Sequence, residues 1–182
     1  MYIERRWAQR GVTLIELVMF IVIVSVGIAG VLTVLNLTAR SSADPLVPKQ
    51  ALAIAEALLE EIQLAPFTFC DPDDANAATA ASAAGCASLP EGLGPEAGDA
   101  RPYDNVNDYH QPAPAAVTDV GGSAIPVLAA YRYTVAVAPA GLGAIAAGSG
   151  DALRITVSVS GPGGTVVTLE GYRARHSPNA LP

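Results

Sequence analysis

Glu16 is the residue in this chain whose surroundings suit it least. It stands directly before Leu17–Leu35, a run of 19 residues without a charge. A carboxylate deep in a membrane helix costs about 2.5–3.5 kcal/mol, so such a residue needs a partner of opposite charge. Two other groups of residues could carry chemistry. Cys70 and Cys86 are the only cysteines. Two thiols without histidine spacing do not make a zinc site, and no Cys-x-x-Cys redox motif is present. Carboxylates and amides also crowd two short runs, Cys70-Asp71-Pro72-Asp73-Asp74-Ala75-Asn76 and Tyr103-Asp104-Asn105-Val106-Asn107-Asp108-Tyr109. Asp71, Asp73, Asp74, Asp104 and Asp108 offer the oxygen donors that a hard cation such as calcium takes, about 6–8 per ion. The same residue types favour capping and Asx turns in long loops. Two readings therefore stand: local capping, or one calcium ion where the two runs meet. Neither run is an EF-hand loop, because the spaced glycine and the closing glutamate are missing.

No constellation suited to catalysis accompanies these groups, and the chain is not expected to be an enzyme. His110 and His176 are the only histidines, and neither has a nucleophile in a context such as Gly-x-Ser-x-Gly. Gly161-Pro162-Gly163-Gly164 reads as a turn rather than a phosphate cradle. The net charge is −7, from 10 basic and 17 acidic residues, and Lys49 is the only lysine. Beyond the first ten residues there is no basic run to meet phosphates, so no nucleic-acid partner is expected.

The hydrophobic fraction of 51% has two sources: alanine supplies 34 residues, and Leu17–Leu35 supplies 15 apolar residues in 19 positions. At about 1.5 Å per residue that run spans roughly 28 Å, the thickness of a bilayer core. Arg5, Arg6 and Arg10 precede it against a single Glu4, and Arg40 follows it. The basic flank should stay in the cytoplasm, which puts the rest of the chain outside the inner membrane, in the periplasm of a Gram-negative cell. A secretory signal has a shorter apolar region and a small-x-small cleavage site, for which Ala39-Arg40-Ser41 is a poor match. In an oxidising compartment Cys70 and Cys86 are expected to form a disulfide. Closing a loop of ~15 residues stabilises by about 3 kcal/mol in the chain-entropy account.

Arg10-Gly11-Val12-Thr13-Leu14-Ile15-Glu16-Leu17 resembles the cleavage and methylation motif of type IV prepilins and type II secretion pseudopilins. The resemblance implies that a prepilin peptidase cuts after Gly11 and that the new amino terminus on Val12 is N-methylated. It also gives Glu16 its partner, the Val12 amine of a neighbouring subunit inside a filament. Most of the family carries Phe after the cut, where this chain has Val12. Cleavage would remove three arginines and Glu4, a net +2, taking the charge from −7 to −9. Gly27 and Gly30 could let another membrane helix approach closely, although glycine is common in such helices.

Downstream, Pro45 and Pro48 should kink or restart the helix, with Asp44 as N-cap. From Lys49 to Leu64 helix formers dominate. Ala51, Ala55, Leu58 and Ile62 line one face with Leu52 and Leu59 alongside, and Glu56, Glu60 and Glu61 are expected on a solvated face. Two clean period-2 strands follow much later, Tyr131–Ala138 and Leu153–Ser160, and a turn at Gly161–Gly164 leads into a third, about Thr165–Arg173. The connection between helix and sheet holds 8 prolines and 6 glycines and no sustained period. The expected class is α+β and pilin-like: a long N-terminal helix, half membrane and half amphipathic, packed on a small antiparallel sheet. Its parts are a leader at 1–11, a transmembrane and assembly helix at 12–40, and a periplasmic head at 41–182. Within the head a helix is expected at 45–65, a Cys-linked loop at 66–127 and the sheet at 128–175.

Three segments narrow the resemblance: Lys49–Glu56, Phe67–Asp74 and Tyr103–Tyr109 are similar to the MshD-type minor pilins of mannose-sensitive haemagglutinin (MSHA) pili. With the leader, these matches fall in about the first 110 residues; the sheet is similar only in pattern. They imply a minor subunit that primes or joins a filament serving attachment and motility. The implied partners are prepilin peptidase, other major and minor pilins, the inner-membrane assembly platform, and the lipid bilayer before assembly. No cofactor is implied, with calcium left open. A type II secretion minor pseudopilin and a pilus-tip adhesin are the alternatives.

Overall fold

The computed structural model describes residues 11–41 and 45–179. Arg5, Arg6, Arg10 and the expected cap Asp44 lie outside the described residues. The chain divides into two compact units, with the boundary between Pro45 and Leu46.

The first unit contains one helix, α1 (Leu14–Ser41). Thr13 starts it: its carbonyl accepts the Leu17 N–H at 3.1 Å and its Oγ1 accepts the Glu16 N–H at 3.4 Å. Ser or Thr followed three residues later by Glu is the pattern of a capping box, so Thr13 and Glu16 define where the helix begins. Ser25 and Thr33 donate to the carbonyls of Ile21 and Ala29 at 2.7 and 2.8 Å, which satisfies both hydroxyls within the helix. Leu14–Asn36 is long and apolar enough to cross a membrane, with a mean hydropathy of 2.8 and none of it buried. Its large apolar side chains are exposed on every side, with no polar stripe.

The second unit is α+β. Its helix, α2 (Leu46–Leu64), buries Ala51, Ile54, Ala55, Leu58 and Ile62 along one face. Leu52, placed by its spacing beside that face, is instead 37% exposed. Pro48 falls in the first turn, where the missing N–H has no helical acceptor to lose. Four strands form one antiparallel sheet in sequence order: β1 (Gln111–Ala116), β2 (Arg132–Pro139), β3 (Ala152–Ser160) and β4 (Val166–Ala174). Register stacks the inward side chains in rows. Tyr133 faces Val159 and then Val167, Val135 faces Val157 and then Leu169, and Val137 faces Ile155 and then Gly171. The buried face of α2 packs on β3 and β4 over these rows. At Gly171 the strand leaves room for the helix, since a Cβ there would collide with the side chains of Gln63 and Leu59. On the wet face Ser158 and Thr168 share a hydrogen bond of 2.9 Å. Gly163 and Gly164, with φ of 68° and 77°, turn β3 into β4, a conformation that favours glycine.

Two expectations need correction. The sheet does not begin at 128, because β1 lies inside the segment read as loop. Pro112 and Pro114 cannot donate to a ladder, and they erase the alternation that marks a strand. The strand tolerates them at the sheet edge and by a register shift between Gln111 and Ala115. His110 Nδ1 accepts the Val137 N–H at 3.1 Å beside that shift. Nor is Glu61 a solvated charge. Its carboxylate receives both Arg101 Nη2, at 2.5 and 2.7 Å, and the Tyr109 hydroxyl, at 2.9 Å.

Candidate functional site

The sequence motif and the head clusters point to two separate places. Gly11, Val12 and Glu16 form an exposed start to α1. Glu16 is the only charged residue of Leu14–Asn36 and sits in the first helical turn. There a carboxylate complements the helix dipole, worth about 0.3–1 kcal/mol at an exposed site. That local role accounts for an acid at this position but does not require the charge, since glutamine serves a capping box as well.

The second place is built by the connection between α2 and β1. Cys70 and Cys86 form a disulfide, with Cys70, Ala77 and Ala80 buried around it. Beside the disulfide, Cys70 pairs antiparallel with Pro90. The Asp71 N–H reaches the Leu89 carbonyl at 3.0 Å, and the Glu91 N–H reaches the Phe69 carbonyl at 3.1 Å. This short ladder lays residues 89–91 against 69–71. A second set of bonds brings in residues 105–109. Asn105 Nδ2 donates to Thr68 Oγ1 at 2.6 Å, the Val106 N–H donates to the Pro66 carbonyl at 3.0 Å, and the Gly94 N–H donates to the Asn107 carbonyl at 3.0 Å.

The two aspartate runs converge as a result. Burial raises the pKa of Asp104, helped by the charges of Asp71, Asp99 and Asp73. Their roles differ, however. Asp74 accepts N–H groups from Asn76, Ala87, Ser88 and Leu89 at 2.7–2.9 Å. Those bonds, led by Ala87 and Ser88, hold its carboxyl well below the usual range and tie the two sides of the disulfide loop together. Asp71 Oδ1 accepts the Asp73 N–H at 2.6 Å in an Asx turn, and Asp73 itself is exposed. Asp108 closes a capping box, its Oδ2 accepting the Asn105 N–H at 2.9 Å.

The convergence also gathers acids that the motif reading did not include. Oxygens of Glu91, Glu96 and Asp108 lie within 4.8 Å of one another, as do oxygens of Asp71, Glu96 and Asp99. Glu96 thus stands between the two runs. Asp108 is 2% exposed and its Oδ1 has no hydrogen-bond partner. Both carboxylate oxygens of Glu91 are likewise buried and unpartnered. Burial, then the charges of Asp108, Glu96, Asp71 and Asp104, push Glu91 up to about 9. Burial pushes Asp108 up to about 8 against its bond from Asn105, with Glu96 and Asp104 adding to the rise. Three acids in the Pro- and Gly-rich stretch 90–99 were the available signal, but nothing in their spacing tells which neighbours the fold supplies.

A cation stands nearby: Arg175 lines the same cavity as Glu91 and Asn107 but makes no ion pair with Glu91 among the described residues. The Arg175 guanidinium lies between the rings of Phe67 and Phe69, 4.0 and 4.1 Å from their centroids. That stacking and the Arg173 bond to the Ala65 carbonyl at 3.0 Å fasten the end of β4 to the loop region.

The chain matches no protein-family model, no curated protein and no solved structure.

Proposed function

We propose that the chain is a minor pilin of an MSHA-like type IV pilus, a structural subunit and not an enzyme. In this reading prepilin peptidase cuts after Gly11 and Val12 is N-methylated. The subunit waits in the inner membrane with its head in the periplasm, and the assembly platform then moves it into the filament among other pilins. The observation that carries the reading is the first turn of α1. A single carboxylate, Glu16, stands five residues after Gly11 at the head of a helix that is apolar and exposed all round. Such a surface is compatible with lipid before assembly and with neighbouring apolar helices after it. In an apolar filament core the Val12 amine and the Glu16 carboxylate each favour the charged form of the other.

Mass spectrometry of sheared filaments tests this, with wild-type and Glu16→Gln cells compared. The wild type should yield a peptide that begins at N-methylated Val12, in small amount beside the major subunit. Glu16→Gln keeps a capping side chain and removes only the charge, so it should reach the membrane normally and fall at least about tenfold in filaments, as expected for loss of roughly 1.4 kcal/mol or more. Recovery of the variant at the wild-type level, or a chain still beginning at Met1, sinks the reading.

A further inference from the structure

We propose that the head binds one calcium ion through Glu91, Glu96 and Asp108, with the side-chain carbonyl of Asn107 beside them. The inference stands apart from the filament reading, since it uses no residue of α1.

The first ground is geometric. Oxygens of three carboxylates from two different loop segments lie within 4.8 Å of one another. The segments are held in place by backbone bonds, Glu91 to Phe69, Gly94 to Asn107 and Asp99 to Glu96, and by the Asp108 capping box, which uses Oδ2 and leaves Oδ1 free. The second ground lies in what surrounds the acids. Glu91 Oε1 and Oε2, Asp108 Oδ1 and Asn107 Oδ1 are all buried without a hydrogen-bond partner. Asn107 is outside the acidic group, is 9% exposed, and lines the same cavity of about 270 Å³ as Glu91. Asn107 Oδ1 is thus a buried acceptor without a donor in a cavity that Glu91 also lines, and such an acceptor calls for a partner. One water brings two protons for four oxygens. The neighbouring Arg175 is stacked between two phenylalanines and makes no ion pair with Glu91 among the described residues.

The donor set selects the ion. It is all oxygen, with three carboxylates and an amide; no histidine belongs to the group, and both cysteines are in the disulfide. That disfavours zinc and copper. Donors contributed by irregular loops suit the flexible coordination of calcium better than the strict octahedron of magnesium. The ligands differ from those suggested by the aspartate runs alone. Asp74 is consumed by backbone, Asp73 points to solvent, and two glutamates replace them. Oxygens of Asp71 and Asp99 also lie within 4.8 Å of an oxygen of Glu96, and these acids add to the negative field.

The competing occupant is a pair of protons shared among the carboxylates. The test uses the full chain in detergent micelles at pH 7.5, stripped with EDTA and then given calcium, magnesium, or sodium chloride of equal ionic strength. Unfolding is followed by circular dichroism, and terbium luminescence excited through tyrosine reports occupancy directly, since Tyr109 adjoins Asp108. Calcium at 100 times its dissociation constant should raise Tm by roughly 10 °C and displace terbium, with magnesium weaker and sodium without effect. Glu91→Gln and Glu96→Gln relieve repulsion, so they should fold in EDTA at least as stably as wild type, yet lose the calcium response and at least about tenfold in terbium affinity. Asp73→Asn should keep both. An equal Tm in EDTA and calcium with no sensitised terbium signal overturns the proposal in favour of shared protons. An equal response to sodium reduces the effect to charge screening and overturns it as well.

Discussion

Asp74 and Glu91 are acids 17 positions apart in sequence that fold into opposite environments. Asp74 receives four backbone N–H groups and is held ionised. Glu91 receives none and is pushed up to about 9. Their linkages to pH run in opposite senses. The unfolded chain releases the Glu91 proton near 4.5 and the folded chain near 9. Between those values the folded state holds more protons, so its stability falls as pH rises. Asp108 adds to this between 3.8 and about 8. Asp74, depressed on folding, contributes stability above 3.8 that is lost as pH falls. The groups facing Glu91 are Asp108, Glu96, Asp71 and Asp104, with Arg175 as the neighbouring cation. In EDTA, Tm should therefore fall by several degrees from pH 5 to pH 9, and saturating calcium should flatten that slope. A flat or rising curve in EDTA would mean that Glu91 and Asp108 are ionised throughout. Capping by Asp74 was one of two readings open from sequence, because Asx chemistry is local. The state of Glu91 was not legible, because it depends on a ladder between residues 69–71 and 89–91 that no local pattern encodes.

Elements whose burial repeats were readable from their residues. α2 follows a helical period, and β2 and β3 alternate, because one face of each lies on the shared core. β1 was not readable, since Pro112 and Pro114 erase the alternation that marks a strand. The Glu61–Arg101 pair joins positions 40 residues apart, and from α2 alone Glu61 looks like any other surface glutamate. The connection from 66 to 110 is held by discrete fasteners in place of a repeating core. The disulfide, the Asp74 cap, the Asn105–Thr68 bond and the Arg175 stack each fix one crossing. Because Cys70 sits in the ladder that positions Glu91, the disulfide and the acidic group are mechanically joined. Reduction, or the double change Cys70→Ser with Cys86→Ser, should cost about 3 kcal/mol of stability, measured by urea unfolding in EDTA. It should also weaken the calcium response more than tenfold. An unchanged calcium midpoint after reduction would show that the ladder holds without its cross-link.

At the scale of the whole molecule, hydrophobicity is divided by task. Every buried hydrophobic residue among those described lies at or beyond Ala51, and α1 contributes none. The head carries a complete helix-on-sheet core, a disulfide and its own loop fasteners. The large apolar side chains of α1 are exposed instead. A fragment beginning at Leu46 should then be soluble without detergent, show the α+β circular dichroism of the head, and unfold within about 3 °C of the full chain in micelles, since the buried core residues all belong to the second unit and 1 kcal/mol shifts Tm by about 2–4 °C. The full chain should need detergent or lipid to remain dispersed. If the fragment is molten or aggregates while the full chain in micelles unfolds cooperatively, α1 supplies packing to the head, and anchoring and folding are not separable in this protein. A folded fragment would also carry the calcium response unchanged, which separates the cation site from every role given to Val12 and Glu16.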